Sequence, residues 1–139
     1  MQKQIKVAVR EGGGPPPGYE WSIGVLEVGY SEAIELLSRP QYRHLADQFK
    51  ELARHPDPTH SETLDLRPVE DFFELRDKGG ILGKLNIRVF YTVDRTRRVV
   101  VVLGVIKKEN EGATSVGDKI RIRRRMRKYD SGDYGVLQT

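Results

Sequence analysis

The sequence predicts an α+β fold: a small, mostly antiparallel sheet of four or five strands, a helical hairpin on one face ahead of it, and a basic helix at the C-terminal end. Three observations carry this. Residues 42–53 place apolar side chains at helical spacing. Residues 72–107 hold three short runs rich in Val, Ile and Phe, separated by turn residues. The run VVVVLGVI from Val99 to Ile106 has no polar alternate, the pattern of a central strand covered on both faces. At 139 residues, 37% hydrophobic and 32% charged, the whole chain reads as one domain with room for one core.

Taken in order, Ile5, Val7 and Val9 alternate with Lys6, Ala8 and Arg10, the period of a half-buried strand. GGGPPPG at 12–18 interrupts it, either as a flexible linker or as the irregular tip of a hairpin whose second strand is Glu20–Val28, with Trp21, Ile23 and Val25 on one face. Residues 1–30 are thus an added N-terminal hairpin or extension. Ser31 is positioned to cap a helix over SEAIELLS, which Pro40 ends or redirects after Ser38. Tyr42, Leu45, Ala46, Phe49, Leu52 and Ala53 then form a helical stripe that HPDPTHSE at 55–62 stops. Phe72–Arg76 is a strand, DKGGILGK at 77–84 a Gly-rich turn, and Asn86–Asp94 pairs with Arg97–Lys107 across Asp94, Arg95 and Thr96. Ile122, Met126 and Tyr129 fit a helix over 113–129; the alternation Ile120 to Arg123 also fits a strand, but length and Arg/Lys propensity favour the helix. Residues 130–139 read as a flexible tail.

Charge is divided unevenly along this plan. Residues 76–129 carry 16 Lys/Arg against 5 Asp/Glu, net +11, whereas residues 1–75 carry 8 against 13, net −5. A cluster of like charge does not stabilise a fold, and on a small sheet its natural partner is a nucleic acid. With no cysteine there is neither a disulfide framework nor a thiol nucleophile. His44, His55 and His60 share no metal-ligand spacing, so no metal and no cofactor is expected. No apolar run approaches the roughly 20 residues of a spanning helix, and the start lacks the apolar core of a secretory signal, so the expected location is the cytoplasm, away from membranes.

The candidate site is the cationic set Arg76, Lys78, Lys84, Arg88, Lys107 and Lys108, extended by Arg121, Arg123, Arg124, Arg125, Arg127 and Lys128 on the last helix. Antiparallel pairing of 86–94 with 97–107 puts Arg88 and Lys107 toward the ends opposite their shared turn, and Arg76 closes the preceding strand near the same rim. Such an edge suits a phosphodiester and the extra charge of its transition state. Most of the Arg123–Arg125 triplet is expected to face solvent. A solvated basic face without chemistry is the plainer alternative.

The order of helix, helix, Glu74-Leu75-Arg76, Arg88-Val89-Phe90-Tyr91, the Val-rich run, Lys107-Lys108 and a basic helix ending Arg127-Lys128-Tyr129 resembles the RelE/HigB superfamily of ribosome-dependent mRNA endonuclease toxins, most closely its phage-derived HigB-like branch. The resemblance covers about 31–129. It implies a RelE-like fold and a metal-independent toxin that cuts mRNA on the ribosome, the 2′-hydroxyl attacking its neighbouring phosphate, under the control of a cognate antitoxin. Arg88 resembles the phosphate-binding arginine, Lys108 or Lys107 the cation after the last strand, Arg76 the cation closing the ELR strand, and Tyr129 an aromatic or His residue used by some members. Beyond the last strand this chain has Asn110, Gly112 and Thr114 where RelE has a tyrosine, and its basic half has no histidine. A Lys surrounded by cations would have its pKa lowered and could exchange the proton, whereas Arg88 could only stabilise charge. Two other functions fit the same fold: a ParE-like gyrase inhibitor, and a non-catalytic relative that binds RNA or antitoxin.

Overall fold

The computed structural model describes residues 5–7 and 14–133. The expected strand position Val9, the glycines at 12 and 13, and most of the C-terminal tail lie outside the described residues. Among the described residues six strands form one sheet: β1 (Ile5–Val7), β2 (Ser22–Leu26), β3 (Asp65–Val69), β4 (Phe72–Lys78), β5 (Asn86–Asp94) and β6 (Val99–Lys107), in the order β1-β2-β6-β5-β4-β3. Among the described residues only the β2–β6 pairing is parallel, so the sheet is mostly antiparallel as expected. The helices are α1 (Glu27–Leu36), α2 (Arg39–Ala53) and α3 (Val116–Asp130).

The strand count exceeds the expected four or five because of β3. Its exposed polar residues and Pro68 hide it, yet an outermost strand tolerates both: proline has no N–H to give the ladder, and one edge faces solvent. The boundary between the two consecutive helices also differs from expectation. α1 starts at Glu27, directly after β2, and Ser38 caps α2 instead. Ser38 Oγ accepts the Gln41 N–H and Gln41 Oε1 accepts the Ser38 N–H, with Pro40 inside the first turn.

The sheet separates two apolar layers. On one face α2 lays Leu45, Phe49, Leu52 and Ala53 over Leu75, Val89, Tyr91, Val100 and Val102. On the other, α3 lays Ile122, Met126 and Tyr129 over Phe72, Phe90, Val101 and Leu103. β6 is therefore buried from Val99 to Ile106, the double cover its unbroken apolar run predicts. A bulge opposite Phe90 and Tyr91 shifts its alternation.

β2 pairs with β6 only as far as Val102, and α1 takes over where β2 stops. Gly29 allows this: a Cβ there would lie 3.3 Å from the backbone of Leu103 and Gly104. Glu32 Oε1 accepts the Val105 N–H at 3.0 Å, while Arg125 of α3 donates to Leu103 O at 2.9 Å and pairs with both Glu32 carboxylate oxygens. The unpaired edge of β6 is thereby satisfied by a salt bridge spanning two helices.

Candidate nucleic-acid interface

The far ends of β4, β5 and β6, opposite the β5–β6 turn, meet the turn at 79–85 and the connection from β6 to α3. Gly79, Gly80 and Gly83 take positive φ angles in that turn, where a side chain would be strained, and this lets the chain double back. Between the two connections lies a groove of about 700 Å³ whose rim carries Lys78, Lys84, Asn86, Lys107, Lys108 and Glu111. Four of the cations singled out in the sequence are thus brought together.

Arg88 lies beneath this rim. Strand alternation turns it toward the α3 face with Glu74 and Arg76, and it is 1% exposed. One terminal nitrogen donates to Thr114 Oγ1 at 3.1 Å, the other to Gly112 O, and the Glu74 carboxylate is 3.9 Å away. Glu74, also 1% exposed, accepts from Arg76 at 2.8 Å and from the Thr114 hydroxyl at 2.8 Å. Burial draws the Arg88 pKa down and the Glu74 charge opposes it. Arg76 and Arg88 are register partners, so the carboxylate between them offsets a repulsion that adjacent cations would otherwise feel. Arg88 Nε finds no partner among the described residues.

Tyr129 belongs elsewhere. Its hydroxyl donates to Asp94 Oδ2 at 2.5 Å, beside the β5–β6 turn and under the Arg97 guanidinium. Burial first, then the Asp94 contact, raises its pKa well above that of a free phenol. Since α3 rises about 1.5 Å per residue, Tyr129 is some 20 Å from Thr114, and the structure does not bring it to the lysine groove.

The helical cations divide as well. Arg121 pairs with Asp118 at 3.1 Å, Arg123 pairs with Glu70 and Asp71, and Arg125 is committed to the β6 edge. Of the triplet only Arg124 is exposed, a departure from the expected solvent-facing run; Arg127 and Lys128 are exposed too. Lys84, Arg124, Arg127 and Lys128 have no carboxylate partner among the described residues.

Sequence reasoning missed Glu74, Asn86, Glu111 and Thr114. Glu74 was within reach, because period-two alternation puts it on the face of Arg76 and, by register, Arg88. The other three act through a loop whose course no periodicity reveals. The fold also brings His44 of α2 to 2.7 Å from Asp77, next to Lys78, though outside the groove lining. Among the described residues no three His, Asp or Glu side chains converge as a metal would require, and no helix is long and apolar enough to cross a membrane.

Chemically, the groove offers ammonium groups and an amide to an anionic chain, above a buried guanidinium. Residues 32–127, more than half of the chain, match the family model described as Phage derived protein Gp49-like (DUF891). No curated protein and no solved structure matches the chain.

Proposed function

The chain belongs to the phage-derived Gp49-like family, a RelE/HigB-like toxin family, and from that premise we propose that it is the toxin of a toxin–antitoxin pair, a metal-independent endoribonuclease acting on mRNA in the ribosome and restrained by a cognate antitoxin. The observation that carries this reading is the groove rimmed by Lys78, Lys84, Lys107 and Lys108, since ammonium groups from the ends of two strands and from the two connections beside them can follow a phosphodiester backbone. In the reaction, the 2′-oxygen bonds to the adjacent phosphorus and the P–O5′ bond breaks. The 2′-hydroxyl proton passes to a base, and the departing 5′-oxygen takes a proton from an acid. Lys107 or Lys108 would stabilise the added negative charge and exchange one of these protons. Arg88, beneath them, contributes a fixed positive charge.

Expression of the protein alone should halt translation, with methionine incorporation stopping before thymidine incorporation. RNA products should form in EDTA and end in 2′,3′-cyclic or 3′-phosphate. Lys108→Ala should lower cleavage by on the order of 100–1000-fold, the usual cost of removing one preorganised charge-stabilising donor. Continued methionine incorporation with DNA breakage would replace this reading with gyrase inhibition. The lack of any His or Tyr among the groove-lining residues favours a second reading, a module that binds without cutting. Translation arrested on intact mRNA would establish it.

A further inference from the structure

The connection between β6 and α3 meets the groove in an unusually systematic way. Five consecutive residues, 109–113, each present an acceptor, four of them to a donor of the groove and Gly112 to the buried Arg88. Glu109 is 3.7 Å from Lys107 Nζ. The Asn110 carbonyl accepts from Asn86 Nδ2 at 3.0 Å. Glu111 accepts from Lys78 Nζ at 2.8 Å and from Asn86 at 3.2 Å. The Gly112 carbonyl accepts from Arg88, and the Ala113 carbonyl accepts from Lys108 Nζ at 3.2 Å. A run of negative and partly negative oxygens, one per residue, resembles in its charge the backbone of a nucleic acid.

We infer that residues 109–113 are an internal strap which forms one wall of the polyanion groove, engages its cations in the free protein and is displaced from them when a phosphodiester chain binds, so that the site restrains itself. This rests on the polyanion-binding reading above and adds its regulation. All five strap residues are exposed, so the strap is held by polar contacts at the surface, individually weak and screened by salt. Buried Thr114, bonded to Glu74, anchors one end, and Lys108, whose N–H donates to Asn86 O at 2.8 Å, anchors the other. Arg88 keeps an unspent Nε–H under the strap, and a phosphate, with more acceptor oxygens than a single carbonyl, would meet it better. Lys78 lowers the Glu111 pKa by hydrogen bonding, so the carboxylate stays charged and the strap stays seated at neutral pH.

The test measures binding of a fluorescein-labelled single-stranded RNA decamer by anisotropy at several salt concentrations. Wild type is compared with Glu109→Gln/Glu111→Gln and with Glu35→Gln/Glu62→Gln, which makes the same charge change at exposed positions away from the groove. The strap variant should bind about tenfold tighter than the control variant, as expected for removing two competing surface ion pairs. In the wild type, adding RNA should speed backbone amide exchange across 109–113. Equal tightening in both variants, or slower exchange across 109–113 on binding RNA, would overturn the strap while leaving the polyanion site intact. If none of the three proteins binds RNA at low salt, the polyanion reading fails, and the strap with it.

Discussion

Arg88 shows how a residue named for chemistry can be held by architecture. Its charge, Glu74 and Arg76 form a polar layer between β4, β5 and the start of α3, sealed by the Thr114 hydroxyl. Removing one partner of a buried pair leaves the other charge uncompensated, which costs about 3–5 kcal/mol. Arg88→Ala should therefore lower unfolding free energy in urea by that order, and Arg88→Met/Glu74→Leu should recover most of it. An Arg88→Ala protein as stable as wild type would mean that the layer is not closed in solution. Loss of toxicity in Arg88→Ala accordingly cannot by itself demonstrate a catalytic role, and Lys108, partly exposed on the rim, is the cleaner probe. Motif spacing pointed to Arg88, but a spacing carries no information about which neighbour will neutralise it.

Single elements settle where the sheet stops. β6 would expose ladder groups beyond Val102 if α1 and α3 did not deliver Glu32 and Arg125 to them. Gly104 makes room for this, since a Cβ there would sit 2.5 Å from the Arg125 guanidinium and 2.7 Å from Ile122. Glu32→Ala leaves the Val105 N–H and the part-buried Arg125 without their carboxylate, a loss of about 1–3 kcal/mol. Faster amide exchange at Val105 should accompany it; unchanged protection there would show that another group satisfies the edge. Period-two and period-3.6 patterns located β5, β6 and α2 closely because each buries an apolar face. β3, with two partly or fully buried apolar side chains and a proline, carries almost no such signal, and the start of α1 has no side-chain cap to announce it.

At the scale of the molecule, the charge division along the chain is partly offset by folding. Glu20, Glu32, Glu70 and Glu74 from the acidic half pair with Arg98, Arg125, Arg123 and Arg76 from the basic half. A count along the sequence could place a polyanion-binding surface somewhere in residues 76–129, but only tertiary pairing distinguishes the structural arginines from those left to solvent. Arg124→Gln/Arg127→Gln/Lys128→Gln should thus weaken RNA binding with stability changed by less than about 0.5 kcal/mol, whereas Arg123→Gln/Arg125→Gln should depress the melting temperature; the reverse ranking would contradict these pairings. The parallel β2–β6 contact bears on how such a chain is made. Ser22 pairs with Val99, 77 residues later, and loop closure over that distance is a slow, late event in folding. β2 therefore waits for β6, and α3, which covers one face of the sheet, is synthesised after both. During its own translation the polypeptide passes through a long interval in which the lysine-bearing strands exist as sequence but not as a surface, because the groove lacks a wall until the connection from β6 to α3 has emerged.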